Sequence, residues 1–268
     1  MNRFSGHKNK LCSSYSLNRY YKLYPISDPV TDLGIPKVSF SSLKYWLTTF
    51  GLVNSDYSPN FLYDKLMEKD PEFLNCDTYA LIHHNMIVNS RSILYYEMFS
   101  EFIPTKIDHF TTNHLLRFII NKYGNDSNYN TIANDINMAL KLYIDNSSPF
   151  DDKFTMSQLR LLIIDYIDED KINYFKMNPY VNLSLNIMLY AIICLWGGKS
   201  IISLKEYFKS PYSPHIIYGL NIDKSMSLLT ELSNKYNGII IINPHDRTIT
   251  INTSLTCKDM LIKYLWDN

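Results

Sequence analysis

Between positions 40 and 50 the apolar side chains fall at helical intervals, so that Phe40, Leu43, Trp46, Leu47 and Phe50 gather on one face of a single helix. Such a segment has to bury that face against another element, and the same period returns along the first half of the chain. It carries Leu81, Ile82 and Met86 in residues 77–87, Ile93, Tyr96 and Phe99 in 92–103, and Leu115, Phe118 and Ile119 in 111–123. Beyond an Asn-Asp breaker at 125 and 126 it carries Ile132, Ile136, Met138, Ala139 and Leu142. Repeated stripes of this kind predict helices packed on helices.

The second half reads differently. Turn formers and acids at 145–154 interrupt the helical period, which places a domain boundary there and predicts an N-terminal helical domain over 1–147 and a C-terminal domain over 148–268. The C-terminal part holds a mixed segment around 171–178, a core helix over 183–196, a short helix near 202–208 and a helix from about 223 to 236. The run GIIIINPHDRTITIN alternates through Thr248, Ile249, Thr250 and Ile251 and predicts two strands joined by a turn. A helix followed by a hairpin is winged-helix order. The expected fold is therefore mainly α, two helical lobes with helix-turn-helix or winged-helix elements and a small C-terminal β-hairpin.

Composition limits the partners. The 268 residues carry 26 basic and 26 acidic side chains, so nucleic acid has to be bound through a local patch and not by overall charge. Hydrophobic residues make up 46% and charged residues 19%, a globular balance. Cys12, Cys76, Cys194 and Cys257 are widely spaced with no CxxC pair, so neither a zinc ribbon nor a disulfide framework is indicated and a reducing cytoplasm is expected. The most apolar run, 183–196, is shorter than the roughly 20 residues that span a bilayer, and the first residues lack the apolar centre of a secretory signal, so no membrane association is expected.

The stretch 33–53 also has the grammar of a helix-turn-helix: Gly34 in a tight turn, a helix, and Gly51 where a left-handed cap is expected. In such a module the second helix can enter the major groove, where Lys37, Ser41, Ser42, Lys44 and Tyr45 would meet phosphates and base edges of double-stranded DNA. Arg247 on the C-terminal hairpin is a second candidate contact. The same periodicity suits an ordinary core helix.

Other constellations are weaker. His7 beside Lys8 and Lys10 offers a proton carrier that titrates near neutrality next to charges that neutralise phosphate, which makes His7 the candidate catalytic residue and the two lysines candidate DNA contacts. His83 and His84 are adjacent on a helix, about 100° apart, and cannot share one metal in the usual i, i+4 geometry; a buried, hydrogen-bonded imidazole is the expected role of His83. Asp151, Asp152, Glu169 and Lys171 can be read as a loose metal-nuclease set, or as a charged turn leading into a strand. No metal site is assigned. GxSxG, Walker and dinucleotide fingerprints are missing, and with 8 glycines a phosphate-cradling loop is not expected.

Several motifs resemble those of a bacterial family, the domain of unknown function numbered four thousand and seven, found in clusters for DNA phosphorothioate modification and phage defence. FSGH at 4–7 is similar to the start of a Phe-Ser-Gly-His-Glu-Thr-Phe signature. Leu33-Gly34 with Lys37, SLKYWL at 42–47 and FGL at 50–52 resemble further family motifs, as do Thr78 with Leu81, Ile82 and His83, the aromatic run YYEMFSEF, and the Ser213-Pro214 turn. Where the family signature continues Glu-Thr-Phe, this chain has Lys8, Asn9 and Lys10, and Pro36 stands for a family glycine. The resemblance implies a DNA-binding component of a phosphorothioation system that nicks DNA or positions it for sulfur insertion, similar to the nicking member of Ssp-type clusters, acting with other proteins of the cluster. Nicking would call on a divalent metal. The loss of the signature carboxylate implies strong DNA binding with weak or no nicking by the chain alone. The alternatives are a non-catalytic adaptor of the defence complex, with exposed tyrosines as anchors, and a winged-helix transcription regulator.

Overall fold

The computed structural model describes residues 7, 10–89, 92–106, 108–124, 129–144, 153–196, 198–252, 254–263 and 265. The fold is mainly helical, as the periodicity predicts, and where one C-terminal hairpin was expected it has two small antiparallel sheets, one of two strands and one of three. Its contacts divide the chain into two compact units, Met1–Asn178 and Pro179–Asn268.

The first unit opens with α1 (Ser14–Leu23), α2 (Pro29–Leu33) and α3 (Lys37–Thr49), then α4 (Phe61–Lys69) and α5 (Cys76–Val88). Next come α6 (Ile93–Tyr96), a π-helical turn Glu97–Phe102 and a 3-10 turn Ile103–Thr105, so the predicted helix 92–103 is present but changes its winding. α7 (Thr112–Tyr123) and α8 (Tyr129–Ile144) precede β1 (Leu162–Ile167) and β2 (Asn173–Met177). α5 shows more than a stripe: Thr78 through Ile87 are all buried, His83, His84 and Asn85 among them, which marks it as the helix the others wrap. Against it lie Phe73, Phe99 and Tyr143, each almost fully buried: Tyr79 donates to the Phe73 carbonyl and the other two rings stand edge-on to His83.

The boundary expected at 147/148 is not where contacts part. Phe154 sits with its ring centroid 5.0 Å from Phe50, 5.4 Å from Phe73 and 5.1 Å from Tyr79. Its backbone N–H donates to the Cys12 carbonyl at 2.8 Å, and Met156 N–H donates to the Leu142 carbonyl at 2.6 Å. An aromatic anchor and two backbone bonds thus tie the chain after residue 153 into the first core. The turn formers at 145–152, which suggested the break, lie outside the described residues.

The second unit is built from α9 (Leu185–Trp196), β3 (Ile201–Ser203), α10 (Leu204–Lys209), α11 (Pro214–Ile217), α12 (Ile222–Lys235), β4 (Ile240–Asn243), β5 (Thr248–Ile251) and α13 (Cys257–Lys263). The predicted helix near 202–208 is a strand running into a helix, the junction made by Ser203, whose hydroxyl accepts from the Glu206 N–H at 3.0 Å. β5 lies between β3 and β4, in register at Ile202, Ile249 and Ile242. α12 is capped by Asn221 and buries Ser225, Leu228, Leu229 and Leu232 at helical spacing. Cys194 on α9 and Cys257 on α13 form a disulfide across a separation of 63 residues, which the spacing did not suggest. Among the described residues no helix is long and apolar enough to cross a membrane.

Candidate nucleic-acid interface

The helix pair at the start of the first unit is set by local chemistry. Asp28 caps α2 by accepting from the Thr31 N–H and hydroxyl, and Pro29 occupies the first helical turn, where its missing N–H costs nothing. Gly34 then takes φ 67°, the left-handed conformation that stops the helix and turns the chain within three residues into α3. α3 ends at Gly51, φ 70°, where a Cβ would also meet the Asn89 side chain at 2.6 Å. A tight hairpin follows, closed by the antiparallel bridge Val53↔Pro59 and the Asn54 N–H to Ser58 carbonyl bond at 2.9 Å.

α3 presents its N-terminal end to solvent. Lys37, Val38 and Ser41 are exposed, the first turn has no acidic residue, and Pro36 gives no side-chain cap, so the free N–H groups and the positive end of the helix dipole stay open. The Ser41 hydroxyl donates back to the Lys37 carbonyl at 3.2 Å. Lys44 is half-buried, its ammonium 4.8 Å from the Phe40 ring centroid and 4.5 Å from that of Tyr57, which couples the helix to the tip of the hairpin. A cleft beside this face is lined by Lys10, Leu11, Ser13, Ser16, Ile35 and Ser39.

The other face of α3 seats the N-terminal turn, and here two of the predicted contacts are corrected. Ser42 is 3% exposed, and its hydroxyl donates to the His7 carbonyl at 2.6 Å; it faces inward and cannot reach a phosphate. Tyr45 is half-buried with its ring edge-on to His7 and Trp46, and burial pushes its phenol up, with the Ser92 and Thr49 hydroxyls opposing. Trp46 Nε1 donates to the Lys10 carbonyl at 2.8 Å, and Lys10 N–H donates to the His7 carbonyl at 3.0 Å. The two motifs that were read apart, FSGH and SLKYWL, therefore meet in space through His7, Ser42, Tyr45 and Trp46. Phe4, Ser5, Gly6 and Lys8 lie outside the described residues.

His7 is 3% exposed. Its Nε2 lies 2.5 Å from Asp135 Oδ1 on α8, and its ring stacks 6.2 Å from Trp46. Burial raises the Asp135 carboxyl above its usual range, and the His7 contact opposes that rise. Asp135 Oδ2 is buried with no hydrogen-bond partner among the described residues. This is the geometry of an anchor. Sequence reading passed over Asp135, although the signal was there: it stands in the apolar stripe of α8, three residues after Ile132 and four before Ala139.

The remaining candidates separate. Lys10 is exposed beside the cleft, and Arg247 is exposed in the β4–β5 turn at φ 52°. His83 donates or accepts through Nδ1 with the Tyr143 hydroxyl at 2.6 Å inside the core, the role expected of it. His84 is buried too, and desolvation pulls its pKa down to about 4. Glu169 and Lys171 occupy the exposed β1–β2 turn, the charged turn of the alternative reading; Asp151 and Asp152 lie outside the described residues. Among the described residues no group of three His, Cys, Asp or Glu side chains could hold a metal ion.

The sequence model of one family, described as "Protein of unknown function (DUF4007)", matches residues 14–262. Two solved structures share the fold. A magnesium ion-bound SspB crystal structure superposes with a TM-score of 0.77 at 16% identity, and an SspB crystal structure with 0.75 at 15%, each match covering 98% of this chain and 86% of the other. No protein with a curated description matches. The magnesium belongs to the first of those structures.

Proposed function

This chain belongs to the DUF4007 family of proteins of unknown function, and from that premise we propose that it is the DNA-binding component of a bacterial phosphorothioate-modification and phage-defence system, holding double-stranded DNA for the other proteins of its cluster. The observation that carries the reading is the open end of α3. An uncapped helix N-terminus with Lys37 and Ser41 exposed and no acid in its first turn is a ready phosphate seat, and Lys10 adds a charge beside the adjoining cleft. The hairpin 53–59, tied to α3 through Lys44 and Tyr57, follows the helix as a wing does. The second unit runs helix, strand, helices, then two strands, with the third strand between the first and second and Arg247 in the last turn, an order that agrees with a winged-helix reading. The SspB likeness agrees with a phosphorothioation setting.

In this reading the chain positions DNA. His7 reaches a phosphodiester only if the 7–10 turn leaves its seat on Ser42, Trp46 and Asp135, so proton transfer by it is not the resting function. On a duplex, Lys37→Ala with Lys44→Ala should weaken binding about tenfold at every sequence tested and flatten the dependence on salt. Unchanged affinity by fluorescence anisotropy would remove α3 from the interface. Robust nicking of supercoiled plasmid by the purified chain with magnesium or manganese, lost in His7→Ala, would replace positioning with cleavage.

A further inference from the structure

We propose that the β1–β2 hairpin is a docking knob for a partner protein whose surface is an apolar groove with a basic rim. It carries apolar surface that the fold does not use. Ile164 and Tyr166 are 40% and 43% exposed, Ile167 58% and Ile172 40%, all within one hairpin. A bulge between Ile164 and Tyr166 shifts the alternation, so that Ile167 pairs with Asn173 on the face of Phe175 while Tyr166 pairs with Tyr174 on the opposite face. Both faces of the distal half therefore show large apolar groups, a cluster that monomeric surfaces seldom leave in water without a use.

The knob is already rigid. Phe175 at its base is buried and bridges Phe110 through two backbone bonds of 2.8 Å. Tyr166 and Tyr174 stack with centroids 4.3 Å apart and planes at 12°, and His109 stands edge-on to both at 5.1 Å. At the tip, Lys171 takes φ 60°, its N–H donates to the Asp168 carbonyl at 3.0 Å, and the Ile172 N–H donates to the Asp168 carboxylate at 2.7 Å. A preformed shape of this kind loses little freedom on binding, which favours recognition by fit.

The charges choose the partner. Asp165 is neutralised by an ion pair with Lys176, but Glu169 and Asp170 are exposed at the tip, and among the described residues neither has an ion-pair partner. An acidic tip repels nucleic acid, so this surface is separate from the α3 end and does not depend on it. A second copy docked about a twofold would set acid against acid, and the bulge that bends β1 disfavours a further strand on its edge. A groove bordered by Lys or Arg on a different protein meets both the apolar and the acidic features.

The test places a photo-crosslinking benzoyl-phenylalanine at Ile167 of the full chain, produced together with the products of its adjoining genes. The expected result is one discrete adduct with one of those proteins. With that protein purified, Glu169→Lys/Asp170→Lys should weaken its binding about tenfold and remove most of its salt dependence. Ile164→Ser/Ile167→Ser should weaken it at least about tenfold as well. DNA affinity, measured on the same variants, should stay within about twofold of wild type, a readout that fails separately if the α3 reading is wrong. The tip substitutions lie in an exposed turn and keep the test valid should the isoleucine pair lower stability. No adduct, an adduct only with a second copy or with DNA, or unchanged partner affinity in the tip variant would overturn the proposal.

Discussion

α3 and α12 occupy equivalent places in their units, each a helix after a short turn and before a hairpin, yet their exposed ends are chemically opposite. α12 is capped by the Asn221 side chain and carries Asp223 in its first turn, with Glu231 exposed further along. α3 has no side-chain cap and no acid there, and shows Lys37. Capping satisfies a helix end internally; leaving it open reserves the N–H groups for something outside. The difference teaches that a helix followed by a hairpin does not by itself locate a DNA surface. The two helices also differ behind. α12 is backed by the buried Leu228, Leu229 and Leu232, whereas behind α3 there is also a polar anchor, His7 and Lys10 held by Ser42, Trp46 and Asp135.

That anchor gives the largest expected effect. His7→Ala leaves a buried carboxylate without its counter-group, and breaking a buried pair from one side typically costs about 3–5 kcal/mol. Burial already raises the Asp135 carboxyl, so part of the cost is present before the change and the loss should fall near the lower end, about 3 kcal/mol. Urea denaturation followed through Trp46, in a Trp196→Phe/Trp266→Phe background, measures it. A loss below about 1 kcal/mol would mean that the turn does not support α3.

Acid should weaken the first unit next. His84 has its pKa lowered from 6.5 to about 4 by desolvation, so below pH 6.5 the unfolded chain takes up a proton that the folded chain refuses. Stability of the first unit is then full above pH 6.5 and falls as pH drops towards 4, by on the order of 3 kcal/mol across the window. His84→Asn should flatten that slope in the same fluorescence assay. A slope unchanged by the substitution would assign acid sensitivity to other groups.

How much of this was legible follows from which physics writes itself into local spacing. The α3 stripe, the Gly34 and Gly51 stops and the β4–β5 alternation are short-range signals, and each element formed where its period and turn residues said. α5 misled only in extent, because a helix buried on all sides needs no polar face: His83 was expected inside, but the burial of His84 and Asn85 beside it leaves no stripe to read. What was hidden is long-range. Phe154 rejoining Phe50, the pairing of Cys194 with Cys257 and the meeting of His7 with Asp135 depend on contacts across tens of residues that no local pattern records. Ser42 and Tyr45 were placed on the outer side of α3 because a hydroxyl-bearing side chain reads as exposed, whereas Ser42 turns inward to the His7 carbonyl and Tyr45 sets its ring edge-on to the His7 ring.

The smallest expected effect is the sharpest test of the contrast between the two helix ends, because folding and binding should move in opposite directions. Val38 is exposed in the first turn of α3, 59% accessible. Val38→Asp gives α3 the acid that α12 already has: it complements the helix dipole and should raise stability by about 0.3–1 kcal/mol. The same charge sits where a DNA phosphate is proposed to rest, and should lower duplex affinity by about threefold, roughly 0.65 kcal/mol. Asp223→Asn in α12 should do the converse to stability, costing a few tenths of a kcal/mol at about the scale of a dipole contact, and leave duplex affinity unchanged. A Val38→Asp protein that binds DNA as wild type does would show that the open end of α3 is not a phosphate seat. Weaker duplex binding by wild type than by Asp223→Asn would move the interface to α12, since removing an acid there would then have relieved repulsion from the backbone.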